Sequence, residues 1–260
     1  MAGQPLPALE SRLAKCRNVV TLGVRPNFSD YSEEEAELLR RAEKIYYPST
    51  YYADMFAAMG KQTFPSAHTY RFVQDKIKQT TLFQLLNVPI PRTRFFYGRR
   101  KAEKILGCFD FPFVAKIARG SALGRGVYLI ESREDLERYC ERVTVAYIQD
   151  YLPVDRDVRA VVIGERVRHA YWRIAEPGEF RNNVEQGGYI SFSQLPADAL
   201  QLARETAQRC GWDDVGVDIC VYKGRPYVLE ANMKYGKQGF HKAGIDYVKL
   251  MEEMIDNGEI

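Results

Sequence analysis

The sequence has no apolar run approaching the roughly 20 residues that cross a bilayer. The stretch Met1 to Arg17 carries Pro5 and Pro7 and lacks the apolar core of a signal peptide. Surplus charge is small. Set against 34 acidic residues, 37 basic ones leave a formal +3, too little to seek nucleic acid or an acidic membrane. Histidine is confined to His68, His169 and His241, too scattered for a histidine metal centre. The cysteines (Cys16, Cys108, Cys140, Cys210, Cys220) are odd in number, and no two have zinc-knuckle spacing. They are expected to be reduced thiols, some buried, and none is placed as a nucleophile. There is no Gly-x-Ser-x-Gly elbow, internal repeat or low-complexity segment. What is present, 46% hydrophobic and 27% charged residues, matches a folded globular protein. A cytoplasmic location is expected, in one large domain or two to three small lobes sharing a core.

Punctuation along the chain divides it. Val19 to Val24 reads as a strand, and Ser32 with Glu35 forms a capping box opening a helix to about Lys44. Ile45 to Tyr47 reads as a second strand, and Tyr51 to Met59 as a helix ending at Gly60. Phe72 to Leu86 is expected to be helical, its second half buried on two sides, with Pro89 and Pro91 forcing an extended exit. Strands are expected at Phe113 to Ala118, Val127 to Ile130 and Val145 to Leu152, with a helix from Ser132 to about Arg142. Asp157 to Ile163 and Val167 to Ile174 pair about Gly164-Glu165. A helix over Ala197 to Cys210 is stopped by Gly211. Val215 to Tyr222 and Pro226 to Asn232 form a second hairpin, and Tyr247 to Asp256 is the last helix.

Chemistry concentrates in three places. The first is the loop Arg119-Gly-Ser-Ala-Leu-Gly-Arg-Gly-Val127, whose glycines let backbone amides approach phosphate oxygens. A strand follows it, so it is neither a Walker loop nor a dinucleotide fingerprint. A strand-loop-strand flap remains, with Lys116 on the entering strand. The second is the hairpin with Asp218 and Glu230. Both acids interrupt apolar strands, and a three-residue turn about Gly224 would set them opposite each other, with Asn232 on the same face. Like charges so placed call for a cation, and all-oxygen ligands suit Mg²⁺ or Mn²⁺. The third is a basic hairpin, Asp157 and Arg159 with Arg173 on the return strand, followed by Glu179-Phe-Arg-Asn-Asn183 and Gly187-Gly188. Arginine forks suit carboxylate or phosphate.

In this order the motifs resemble the ATP-grasp superfamily, most closely the RimK-like ribosomal-protein glutamate ligases, over roughly residues 73 to 245. The resemblance rests on the lysine strand, the glycine flap, Gln149-Asp-Tyr-Leu152, Asp157-Val-Arg159, Phe180-Arg-Asn-Asn183, Gly216-Val-Asp218 and Leu229-Glu-Ala-Asn232. It implies an α+β ATP-grasp fold: a short α/β N-terminal domain (1–72), a small lobe with the flap (73–145) and a large lobe with the metal site (146–260). It implies ATP held by Lys76, Lys116 and the flap residues Gly120, Ser121, Gly124 and Gly126. Gln149, Asp150, Tyr151 and Leu152 would form the adenine hinge, largely through backbone. Asp157 would contact ribose or nucleotide, with Arg181, Asn182 and Asn183 the next nucleotide-contacting run. Asp218, Glu230 and Asn232 would ligate metal, Glu230 bridging two ions. After Asn232 the chain reads Met233-Lys-Tyr-Gly236, where the family usually has Ser-Pro-Gly.

The implied reaction joins a carboxylate substrate to an amine acceptor (amino acid, peptide or protein tail) through an acylphosphate, with Arg159, Arg173 or Arg181 orienting the carboxylate. No membrane or direct nucleic-acid partner is implied, and a homo-oligomer is compatible with the sequence. Two other readings stay open: an ATP-grasp kinase of small molecules, and a regulatory nucleotide-binding module without turnover.

Overall fold

Three hydrogen-bonded sheets organise the chain in the computed structural model, which describes residues 6–120, 126–176 and 188–260. The first is parallel, in the order β2-β1-β3-β4, with β1 at Leu6–Ala8, β2 at Val19–Thr21, β3 at Lys44–Tyr46 and β4 at Gln62–Phe64. Helices α1 (Glu33–Arg41), α2 (Ser49–Ala58) and α3 (Ala67–Tyr70) accompany it. The capping box of α1 is formed as its sequence predicts: Ser32 accepts from the Glu35 amide and Glu35 from the Ser32 amide. The helix stops at Arg41, short of Lys44, because Lys44 already belongs to β3. Strand β2 stops at Thr21, before the left-handed Gly23, rather than at Val24.

Helix α4 (Lys76–Leu85) links this part to the second sheet. It does not begin at Phe72, because Gln74 has φ +54° and Asp75 caps the helix by accepting from the Lys78 amide. Its buried residues are Lys76, Gln79, Thr80 and Phe83, a single stripe at helical spacing. The expected two-sided burial of its second half is therefore wrong: Leu85 is 75% exposed. The second sheet is antiparallel, in the order β5-β8-β6-β7. It comprises β5 (Thr93–Tyr97), β6 (Phe113–Lys116), β7 (Val127–Ile130) and β8 (Val145–Asp150). Helices α5 (Lys101–Leu106) and α6 (Arg133–Arg142) cover one face around Phe96, Phe113 and Leu136.

The third sheet is also antiparallel, in the order β11-β10-β9-β12-β13. Its strands are β9 (Arg156–Ile163), β10 (Arg166–Ile174), β11 (Tyr189–Ser191), β12 (Asp214–Tyr222) and β13 (Arg225–Asn232), with α7 (Ala197–Cys210) before β12. Its two faces differ. Val158, Val162, Val215, Val217 and Ile219 meet Ala199, Ala203 and Ala207 of α7, all completely buried. Alanine at every fourth position lets the helix lie close on the sheet. On the other face Val161 and Ile163 pack with the N-terminal sheet and with α9 (Tyr247–Asp256), while α8 (Gln238–Lys242) brings in Phe240. This leaves the end of that face bearing Asp157, Arg159 and Asp218 beside the second sheet. Among the described residues no helix is long and apolar enough to cross a membrane. The five cysteines are unpaired.

Candidate active site

The β12–β13 hairpin brings Asp218 and Glu230 into direct register, by a route different from the expected one. The turn has two residues, Lys223 and Gly224, both at positive φ (+50° and +74°), as a type I′ hairpin requires. Its pairing runs Tyr222 to Arg225 and Ile219 to Val228, which would leave Asp218 opposite Leu229. A bulge at Leu229 shifts the register so that Asp218 faces Glu230 and Gly216 faces Asn232. The three oxygen-bearing side chains therefore share the face opposite the α7 core.

Strand order extends this into a row. Arg159 lies beside Asp218 on β9, with Tyr171 beyond it on β10. Asp157 and Arg173 form the next pair. Arg159 donates from Nε and Nη2 to the two Asp218 oxygens. Arg173 grips Asp157 through Nε (2.7 Å) and Nη2 (2.9 Å), and its Nη2 also lies 2.8 Å from Asp218 Oδ2. All four side chains are at least 90% buried. Burial alone would raise the Asp218 carboxyl, but the two guanidiniums outweigh it and hold it below its ordinary value. Asp157 moves up, because burial and the nearby Asp218 charge prevail over Arg173. Gly216 gives Arg159 its path: a Cβ there would lie 3.0 Å from both Arg159 Cδ and Tyr235 Cβ.

The cation expected between the two acids is thus supplied in part by protein. Asp218 has its arginines, and Glu230 Oε1 lies 3.3 Å from Lys76 Nζ at the start of α4. Lys116, at the end of β6, sends Nζ to within 3.3 Å of the Leu229 carbonyl at the bulge, 5.6 Å from the Tyr147 ring centre. Burial pushes the Lys116 ammonium down, Glu230 supports it, and Lys76 opposes it. Tyr147 is a residue the sequence reading missed. Its signal was the β6–β8 register, which pairs it directly with Lys116.

The donor set still fits a divalent ion. Two carboxylates and an amide on one face are hard oxygen ligands, and Glu230 and Asn232 are both partly exposed. Asn232 Oδ1 accepts from the neighbouring Lys234 amide, at 3.0 Å. Among the described residues no group of three or more His, Cys, Asp or Glu is placed to hold a metal ion. Binding through Asp218 requires that carboxylate to change partners.

The flap is described at its ends. The Ile117 amide donates to the Gly126 carbonyl at 2.7 Å, closing the hairpin, and a Cβ at Gly126 would lie 2.9 Å from the Ile117 side chain. Gly120 has φ +68°, and its amide reaches the Gln74 carbonyl. The Ala118 carbonyl accepts from the Lys76 amide, so the flap's base is tied to the start of α4. Ser121, Gly124, Arg181, Asn182 and Asn183 lie outside the described residues. At the hinge the Gln149 side chain donates to Thr93 Oγ1 (2.9 Å) and Asp150 pairs with Arg92 (2.9 Å). Both side chains are thereby turned to structure. Tyr151 and Leu152 follow as irregular, partly buried chain. Asp157, expected at the ribose, has its carboxylate inside the arginine cluster and is 4% exposed.

Residues 73–255 match the family model of the RimK-like ATP-grasp domain. A protein of Shewanella frigidimarina named "Probable alpha-L-glutamate ligase 1" is 30% identical over 233 residues, covering 85% of this chain and 76% of that protein. Among solved structures, a RimK domain ATP-grasp protein from Sphaerobacter thermophilus aligns over 95% of this chain and 98% of its own, with TM-score 0.71 and 18% identity. The ATP-grasp ligase PsnB, complexed with precursor peptide PsnA2 and AMPPNP, aligns over 99% of both chains with TM-score 0.70 and 14% identity. These likenesses confirm the α+β ATP-grasp fold, and the named relatives favour ligation over a kinase or a silent module. The chain belongs to the RimK-like ATP-grasp family of ATP-dependent carboxylate–amine ligases.

Proposed function

We propose that this ligase uses glutamate as one partner in amide formation, through an acylphosphate, at the cleft between the second and third sheets. One observation carries the assignment of the cleft: Lys76 and Lys116, on separate elements, converge on Glu230 and Leu229 of β13 beside Asp218 and Asn232. A cation cluster against an oxygen row suits polyphosphate with its counter-ions. The glutamate assignment draws on the names of the relatives.

A substrate carboxylate oxygen bonds to the γ-phosphorus of ATP as the bond to ADP breaks. An amine then attacks the acyl carbon, phosphate leaves, and the amine loses a proton to solvent. Lys76, Lys116 and the amides of the flap (Ser121, Gly124, Gly126) hold phosphate oxygens, while the Gly120 amide, donated to the Gln74 carbonyl, anchors the flap's base. Backbone from Gln149 to Leu152 receives the adenine, while Asn182 and Asn183 complete the nucleotide site, and Asp157 stays in the arginine cluster. Asp218, Glu230 and Asn232 would hold Mg²⁺ or Mn²⁺, which when bound would neutralise phosphate charge. With their guanidiniums on Asp157 and Asp218, Arg159 and Arg173 act as positioning residues for Asp218. Arg181 is assigned to the substrate carboxylate. The three cysteines that are buried and the ATP requirement suit a cytoplasmic setting.

The test is ADP release with glutamate and a panel of carboxylate and amine partners, followed by mass spectrometry of the product. Glu230→Gln should lower ADP release at least about 100-fold with an unchanged melting curve. Retained turnover in that variant would remove Glu230 from the site.

A further inference from the structure

Beside Asn232 lies a cavity of about 240 Å³, lined among others by Glu10, Arg12, Tyr47, Met233, Lys234 and Lys237, with Glu10 and Lys234 paired to each other (Oε1 to Nζ 3.0 Å). It opens where this chain departs from the usual family tail, and the Lys234 amide ties its wall to the Asn232 side chain. Arg12 sits on the short 3-10 turn Ser11–Leu13 after β1. Its Nε donates to the Tyr247 hydroxyl (2.9 Å) and its Nη1 to the Tyr235 carbonyl (3.0 Å), both neutral groups. The guanidinium carbon stands 4.2 Å from the Tyr235 ring centre and 5.2 Å from that of Tyr247. Nη2 is buried and has no hydrogen-bond partner. The nearest buried acid, Asp214, is already served by the hydroxyls of Tyr47 (2.8 Å) and Tyr235 (2.5 Å). Lys237 leans over the same place, its Nζ 3.3 Å from the Arg12 carbonyl.

A buried guanidinium nitrogen without an acceptor is costly to leave so. The cavity is below the roughly 300–1,000 Å³ of a drug-sized site, so it suits a small anionic group. We infer that it receives the non-reacting carboxylate of the small acidic co-substrate, with the Arg12 guanidinium as its charge-assisted donor and Lys237 as a second cation. The inference rests on the amide-ligase reading proposed above and extends it by naming the residues that select a dicarboxylate. A neutral amino acid would leave the guanidinium and the lysine without an anionic partner, so the pocket discriminates by a missing partner rather than by size.

The experiment uses the whole chain and measures ADP release against glutamate, glutamine and isoglutamine, with glutarate binding followed by calorimetry. Arg12→Lys keeps the charge and removes the fork. It should raise the KM for glutamate about tenfold or more and shrink the preference over the amides, leaving the KM for ATP unmoved. Glutarate should bind the wild type and bind Arg12→Lys about tenfold more weakly. An unchanged glutamate KM and unchanged glutarate affinity in a folded Arg12→Lys overturn the inference. If Arg12→Lys does not fold, Lys237→Met takes its place: a KM raised several-fold supports the pocket and an unchanged KM overturns it. If glutamate does not stimulate wild-type ADP release, the glutamate reading fails on its own. Glutarate binding then decides the pocket, and no binding to the wild type overturns it.

Discussion

Asp214→Asn should change how stability depends on pH. Asp214 is completely buried at the start of β12, and burial pushes its carboxyl from 3.8 up to about 6, with Arg12 and the Tyr235 and Tyr47 hydroxyls pulling the other way. The unfolded chain releases this proton near 3.8, whereas the folded chain keeps it until about 6. Between those values the native state binds more protons, so this group's stabilisation is complete below the lower value and is lost as pH rises through the upper. Each pKa unit corresponds to about 1.4 kcal/mol, and because pH 4 already lies above the lower value the loss from pH 4 to pH 7 is about 2 kcal/mol. Asparagine cannot ionise, so the variant lacks this fall. Urea unfolding of both proteins at half-unit steps from pH 4 to 7.5, with m held common, isolates the group in the difference curve. That difference should move by about 2 kcal/mol in favour of the variant across the window. Parallel profiles would show that Asp214 ionises at its ordinary value and that its buried hydroxyl partners compensate its charge fully.

Three further outcomes follow from the site. Gly216→Ala should lower stability by about 1–3 kcal/mol, read from the urea midpoint, because its Cβ meets both Arg159 and the backbone-anchored Cβ of Tyr235. Lys116→Met should weaken ATP about tenfold or more in a binding titration without lowering the melting temperature, since burial already disfavours its charge. Chelation with EDTA should bring ADP release to background, with recovery on adding Mg²⁺ or Mn²⁺; release that persists would remove the ion from the proposal.

The oxygen row was legible because acids are out of place in apolar strands, so Asp218 between Val217 and Ile219 marked itself. The pairing with Glu230 was right, but its cause lay in backbone detail, a shorter turn corrected by a bulge. The arginine cluster was not legible in full. Which acids Arg159 and Arg173 hold depends on β9 lying between β10 and β12, and strand order is not written in local pattern. The three-residue strands β1 and β4 and the short helix α5 escaped because an alternation needs more residues than they contain. Arg12 escaped for another reason: its three tyrosines come from residues 47, 235 and 247, brought together only when the N-terminal sheet covers the third sheet.

The bulge at Leu229 also sets how this gene can change in length. Between the turn and the bulge, β13 obeys the turn; beyond it, the chain runs one step out of phase. Deleting Leu229 would restore an unbroken ladder with Glu230 still opposite Asp218, whereas deleting Ala231, beyond the bulge, would turn Asn232 toward the α7 alanines while the hairpin itself still closed. Lengthening the exposed turn at Lys223-Gly224 would be absorbed at the rim. A single missing codon is thus tolerated at the bulge and lethal to chemistry two positions further on, and a surviving relative with a β13 one residue shorter should have lost the residue before the glutamate.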